Sequence, residues 1–220
     1  MSRLRPDTNP SGAPQRAAAR ESIAMPIPVD PGDYPPPPAG DTAPAPTISV
    51  IITTHNRAAL LPQAIESVLA QEPWGAPVDI IVVDDASTDN TPAVVASYPA
   101  VRYVHTRQGS AGGARNVGGA HARGDWFAFL DDDDVWLPHK LRACRAVIAA
   151  HPQARWVFSG AQVCDHHLVP SRPWVWGGPA IEAKPPYDAF LDDDLCPSAV
   201  LLHRAALAAV GPFETMPRRA

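Results

Sequence analysis

The chain has little cysteine, no long apolar run and no surplus of positive charge, and each shortage removes a class of protein. Its three cysteines, Cys144, Cys164 and Cys196, are odd in number and widely spaced, with no Cys-x-x-Cys pair. That argues against a disulfide framework or a structural zinc site and points to reduced thiols in the cytoplasm. No uninterrupted apolar stretch approaches the roughly 20 residues that cross a bilayer. No apolar segment follows the arginines near the N-terminus, so neither a transmembrane helix nor a secretory signal is predicted. The expected location is the cytoplasm, extending to a peripheral place at the inner face of a membrane. A formal net charge of -5 supplies no basic face for nucleic acid. The common nucleotide signatures are missing as well. There is no GxxxxGK followed by Ser or Thr, and the turn after the first apolar strand reads Thr54-His55-Asn56-Arg57 instead of GxGxxG. The run Asp131 to Asp134 lacks the glycine and terminal glutamate of an EF-hand loop.

Proline, by contrast, is abundant and unevenly placed: 12 of the 27 prolines precede Thr47, four of them consecutive at Pro35 to Pro38. A segment so poor in branched aliphatic residues cannot bury enough apolar surface to offset its ordering entropy. Residues 1–46 are therefore expected to be a disordered, Pro-rich tail, and residues 47–220 the folded domain. From Ile48 the texture changes to short apolar runs separated by helical patterns. Ile48 to Thr53, Val78 to Val83, Val101 to His105, Trp126 to Leu130, Trp156 to Phe158 and Ser198 to Leu202 read as strands. Asn56 is expected to cap a helix whose buried face carries Leu60, Leu61, Ala64, Ile65, Val68 and Leu69. Further helices are expected near Thr91 to Ser97, in the Gly/Ala-rich segment before Gly124, over Pro138 to Ala150 and over Ala205 to Val210. Strands alternating with helices imply an α/β fold with a mostly parallel sheet and helices on both faces.

In such a sheet, ligands bind beyond the carboxyl ends of the strands. Three strand ends deliver polar groups there: Thr53-Thr54-His55-Asn56, Asp84-Asp85 and Asp131 to Asp134. Four adjacent carboxylates repel one another, and a hard divalent cation relieves that repulsion by taking one or two carboxylates plus phosphate oxygens. The alternative is a solvated acidic turn, which sits poorly between Phe127-Ala128-Phe129-Leu130 and Val135-Trp136-Leu137, both of which call for burial. Asp84 and Asp85 have two readings. One of Asp85, Ser87 and Asp89 caps the next helix, or a strand-end carboxylate accepts a hydrogen bond from a nucleoside. Trp174 and Trp176 are read as packing residues in a long loop, and His166, His167 and His203 are given no chemistry.

Four segments in order, SVIITTHNRAALLPQAIESVLAQ, VDIIVVDDASTDNT, GSAGGARNVGGAHARGDWFAFLDDDDVWLPHKL and SAVLLHRAALAAVGPF, resemble a family 2 glycosyltransferase of the GT-A fold. The resemblance spans about Ile48 to Phe213. It implies that Thr54 and Asn56 line the donor pocket, that Asp85 contacts the base, and that Arg115 lies near the base and phosphates. The Asp-x-Asp pattern of the family falls on Asp131 and Asp133. Asp131 would reach the ribose or the metal, and Asp133 would coordinate Mg2+ or Mn2+ directly. Asp132 is the variable middle position, and Asp134 is expected to cap the helix after it. The implied reaction transfers a sugar from a nucleoside diphosphate donor, a UDP-sugar first among them, to an unknown saccharide, lipid or protein acceptor with inversion. The family's general base lies in an acidic-pair motif shortly after the segment matching Gly211-Pro212-Phe213. Glu214 is the only acid after that segment here and matches the residue next to it, not the base, so no base is assigned, and the expectation is a chain that binds donor and transfers poorly. The alternative is a non-catalytic or truncated donor-binding module. A nucleotidyltransferase would carry a glycine-rich basic loop after the first strand, and Thr54-His55-Asn56-Arg57 is not one.

Overall fold

The computed structural model describes residues 46–165, 167–169 and 196–215. The tail expected to be disordered lies outside them except for Pro46, and so do His166, Trp174 and Trp176. Strands β1 (Ile48–Thr54), β2 (Val78–Asp85), β3 (Val101–Thr106), β4 (Trp126–Asp131), β5 (Trp156–Phe158) and β6 (Val200–His203) form one sheet in the order β3-β2-β1-β4-β6-β5. The pairs β1–β2, β1–β4 and β2–β3 are parallel. β6 runs antiparallel to both β4 and β5, a reversal that no local pattern in its four residues announces.

Every residue of β1 is buried, because the strand is central and covered on both faces. Val50 and Ile52 point to one side, with Leu61, Ile65, Val95 and Leu141. Those residues come from α1 (Leu61–Leu69), α2 (Thr91–Ala96) and α4 (Lys140–Ala150). Ile51 points to the other side, with Phe127, Phe129, Ala114 and Ala206. There the cover is α3 (Ala111–His121) and α5 (Arg204–Val210).

The helix α1 starts later than its cap was expected. Leu61, Ala64, Ile65 and Val68 are buried, whereas Leu60 and Leu69 are 37% and 46% exposed. A 3.6-residue period puts the first four on one stripe and leaves the other two on its margins. No side chain caps the helix. A helix of nine residues is marginal by itself, so packing of that stripe, at about 1.5–3 kcal/mol for each large aliphatic, is what holds it. Asn56 instead takes a left-handed conformation, φ 54°, which asparagine tolerates better than most residues. Its backbone N–H donates to Ser87 Oγ, and its Oδ1 accepts from Thr88 N at 2.7 Å. Asparagine here ties the β1 turn to the β2 turn. None of the three candidates is the N-cap of α2, which is Asn90 with no side-chain bond; Asp89, one residue earlier, accepts from both the N–H and the hydroxyl of Thr91 and braces the first turn.

The chain after α5 returns to the N-terminal half of α3. Asn116 grips it with both ends of its amide, Nδ2 donating to Phe213 O at 2.9 Å and Oδ1 accepting from Phe213 N at 2.8 Å. Gly112 leaves room for it: a Cβ there would lie 2.1 Å from Glu214 O. Phe213 then meets Phe129 edge to face at 5.1 Å. Asn116→Ala is expected to strand both backbone groups of Phe213 and to lower stability by about 1–3 kcal/mol. Denaturant unfolding checks this; a midpoint equal to the parent's would mean that Phe213 is held by its ring alone.

Candidate functional site

The parallel register aligns the strand ends that carry polar residues. Thr54 of β1 is level with Asp84 of β2, and Thr53 of β1 with Asp131 of β4. Beyond this edge lies an open cleft of about 480 Å³ lined by Thr53, Thr54, His55, Arg57, Ala111, Arg115, Asp131, Asp132 and Asp133. Four of the expected site residues, Thr54, Arg115, Asp131 and Asp133, stand on its wall.

The aspartate run does not act as one cluster. Asp131 Oδ1 accepts from Arg115 Nη2 at 2.6 Å and from Thr53 Oγ1 at 3.3 Å. Asp132 turns inward and is buried, with Arg57 Nη1 at 3.0 Å. Asp133 turns outward, its side chain 47% exposed, and takes the same Arg57 nitrogen at 2.5 Å. Asp134 leaves the cleft altogether. Its carboxylate accepts from Ser198 Oγ at 2.5 Å and from Cys196 Sγ at 3.5 Å, and the Ser198 hydroxyl in turn accepts from Asp131 N. Asp134 is thus a tether between the acidic turn and the segment entering β6, not the cap of α4. Its burial raises its pKa above the ordinary carboxylate range, against the pull of the Ser198 hydroxyl. Burial likewise raises Asp132, opposed by Thr54 and Arg57. Burial alone would lower the Arg57 guanidinium, but the Asp132 and Asp133 charges outweigh it and hold its pKa above the usual value. Mutual repulsion among the four acids is therefore relieved by splaying and by two arginines. Of the flanks, Trp136 is buried with its indole N–H on Ser198 O, while Leu137 is 65% exposed.

Asn56 and Asp85 stand behind the cleft wall. Asp85 is 1% exposed, and its Oδ1 accepts from Gln108 N at 2.6 Å and Gly109 N at 3.1 Å, bracing the loop that leads into α3. That loop ends at Ser110, whose hydroxyl caps α3 by accepting from Gly113 N. The neighbouring Asp84 is fully buried between Ser87 N and the Tyr103 hydroxyl. His55 lies on the wall with Nδ1 2.6 Å from Asp85 O. Ala86, directly after Asp85, has φ 63°, a costly conformation for alanine of the kind that clusters at functional sites.

Arg57 is the wall residue that the sequence pattern does not single out. A lone arginine three residues beyond a strand end looks like any turn residue; only its position opposite an acidic run one strand away could have marked it. Arg115 carries another signal. Its side chain is 12% exposed, yet its Nε–H is buried and has no partner among the described residues. A buried N–H of this kind costs about 1–3 kcal/mol unless something accepts from it.

No three His, Cys, Asp or Glu side chains converge on a point fit for a metal ion among the described residues. An Mg2+-like ion does not require such a cage, since it takes one or two protein carboxylates and completes its shell with phosphate oxygens and water. The hard oxygen donors of Asp131 and Asp133, on the wall of one cleft, fit that pattern. Among the described residues, no helix is long and apolar enough to cross a membrane.

The family model described as Glycosyl transferase family 2 matches residues 49–208. The succinoglycan biosynthesis protein ExoO of Rhizobium meliloti (strain 1021) is 46% identical over 109 residues, covering 48% of this chain and 30% of that protein. An uncharacterized glycosyltransferase of Nostoc sp. (strain PCC 7120) is 44% identical over 100 residues, 43% of this chain and 30% of its own length. The chain therefore spans about a third of these curated relatives. Among solved structures, S. aureus TarS 1-349 in complex with UDP superposes with a TM-score of 0.57 at 23% identity, covering 74% of this chain and 48% of that one. Mannosyltransferase PcManGT from Pyrobaculum calidifontis, in complex with GDP-Man and Mn2+, gives 0.57 at 22% identity over 80% of this chain and 50% of that one. At these identities the likeness establishes the GT-A fold.

Proposed function

This chain belongs to glycosyl transferase family 2, and from that premise we propose that its cleft binds a nucleoside diphosphate sugar and a divalent cation for sugar transfer. The observation that carries the reading is the meeting of Thr54, Arg115, Asp131 and Asp133 on one wall at the ends of parallel strands. The unpartnered Nε–H of Arg115 supports an anionic ligand, because a phosphate oxygen would satisfy it. Solved relatives of the fold hold UDP or GDP-mannose, the latter with Mn2+, which makes UDP and GDP the first nucleotides to try.

In this reading Arg115 pairs with the diphosphate while staying fixed to Asp131, and Thr54 lines the donor pocket. Asp85 and Asn56 shape its nucleoside end through the loops they brace, with Asp85 nearest the base. Asp131 and Asp133 would hold Mg2+ or Mn2+, which when bound neutralises charge on the departing diphosphate. The reaction is displacement at the anomeric carbon: the acceptor oxygen forms the new bond as the bond to the diphosphate breaks, with inversion of the centre. A base that takes the acceptor proton is not assigned. Asp192 to Asp194, the first carboxylates to mutate in search of it, lie outside the described residues.

Calorimetry with UDP and GDP, with and without Mn2+, tests the binding, and turnover of UDP- and GDP-sugars tests the chemistry. Metal-dependent binding is expected for at least one nucleotide. Binding without hydrolysis or transfer would select a donor-binding module, and no binding of either nucleotide would overturn the reading.

A further inference from the structure

The two arginines of the cleft are held differently. Arg115 projects from α3, is 12% exposed and pairs with one carboxylate. Arg57 sits in the turn before α1, where its carbonyl accepts from Leu60 N and Leu61 N, so its backbone is anchored while its side chain is 48% exposed. Both of its ion pairs use the single nitrogen Nη1, at 3.0 Å to Asp132 and 2.5 Å to Asp133. This is not the two-pronged fork that gives an arginine–carboxylate pair its rigidity. A half-exposed guanidinium shared between two acids is free to exchange one partner for another.

The formal charges of the wall make that exchange consequential. Asp131, Asp132 and Asp133 face Arg57 and Arg115, leaving one negative charge. A divalent cation entering alone would invert that balance and would meet Arg57 already occupying Asp133. The same cation entering with the two charges of a diphosphate sugar leaves the balance unchanged, and the phosphates offer Arg57 a new partner.

We infer that Arg57 is a resident counter-ion of the Asp132–Asp133 pair, displaced from Asp133 when a divalent cation binds and taken over by the diphosphate, so that cation and donor enter together. Arg57 is a positioning residue in this scheme: it sets the order and cooperativity of assembly. The inference rests on the donor-site reading above, but its central element, competition with the cation, is measurable without any nucleotide.

The test uses Mn2+ alone as probe, with free ion followed by electron paramagnetic resonance, on the full chain and on Arg57→Gln and Arg57→Lys. Removing a positive charge a few ångströms from the ion is expected to tighten Mn2+ binding roughly tenfold in Arg57→Gln. Arg57→Lys, which keeps the charge, should stay within about twofold of the parent. A thermal melt confirms that each variant folds. A second titration with UDP present reads the coupling. UDP should strengthen Mn2+ binding in the parent, and that enhancement should shrink in Arg57→Gln. Unchanged Mn2+ affinity in Arg57→Gln overturns the inference, even where UDP binding depends on metal and the donor reading stands. Tighter Mn2+ binding in Arg57→Gln, with UDP bound by neither protein, keeps Arg57 as the competitor and sinks the donor reading. No Mn2+ binding in any form overturns the metal assignment and this inference together.

Discussion

Asp133→Ala is expected to lower metal-dependent nucleoside diphosphate affinity by about a hundredfold or more while leaving the fold intact. Changing groups that only support a metal ligand typically costs about 10–100-fold in metal affinity, so loss of a proposed ligand should cost at least as much. The fold should survive because the Asp133 side chain is 47% exposed and has Arg57 as its ion-pair partner. Arg57 keeps Asp132 when Asp133 is gone. A half-exposed ion pair contributes on the order of 0–1 kcal/mol, and removing one charge from an acidic run offsets part of even that. Calorimetry with UDP or GDP and Mn2+, beside a melt of the same variant, separates the two effects. Undiminished metal-dependent affinity would remove Asp133 from the metal site.

Gly124→Ala is expected to lower stability by about 3 kcal/mol, at or beyond the upper end for an overpacked position. The added Cβ would lie 2.5 Å from both Ile48 C and Ser49 N. Those atoms belong to the backbone of the fully buried central strand, so no side chain can swing aside to make room. The turn itself cannot retreat either. Ser49 Oγ accepts from Arg123 N and Gly124 N, and the same hydroxyl donates to Asp79 Oδ2. From the other side, Arg204 Nη2 donates to Ala122 O and Gly124 O, both at 2.8 Å. At about 2–4 °C per kcal/mol for a chain of this size, Tm should fall by roughly 6–12 °C. A fall of under 2 °C would show that β1 can shift, and with it the alignment of Thr53 and Thr54 against Asp131.

Ranges for β1, β2 and β4 were legible in the sequence because buried parallel strands are short, continuous β-branched or aromatic runs bounded by turn residues, and their length and composition separate them from buried helices. The same runs told which strand ends carry acids and hydroxyls, and so that one edge of the sheet holds a site. What a polar side chain does at that edge was another matter. Asn56 has the right chemistry for a helix cap, but a cap and a cross-turn tie use the same amide. The choice was made by Ser87 and Thr88, which are brought alongside only when β1 and β2 pair. Asp131 to Asp134 are equivalent as a run of four letters. In the folded chain one is fixed by an arginine of α3, one turns inward, one faces water, and one reaches across to Ser198. Short-range pattern records which groups are available; it does not record the partner that arrives from 64 or 76 residues away. The sequence by itself thus determined the α/β order, the strand ends and the acidic edge, all set by local hydrophobic period. The division of labour among the aspartates, the antiparallel insertion of β6 and the place of Arg57 were decided by tertiary structure, because hydrogen bonds and ion pairs are short-ranged and only packing brings their partners together.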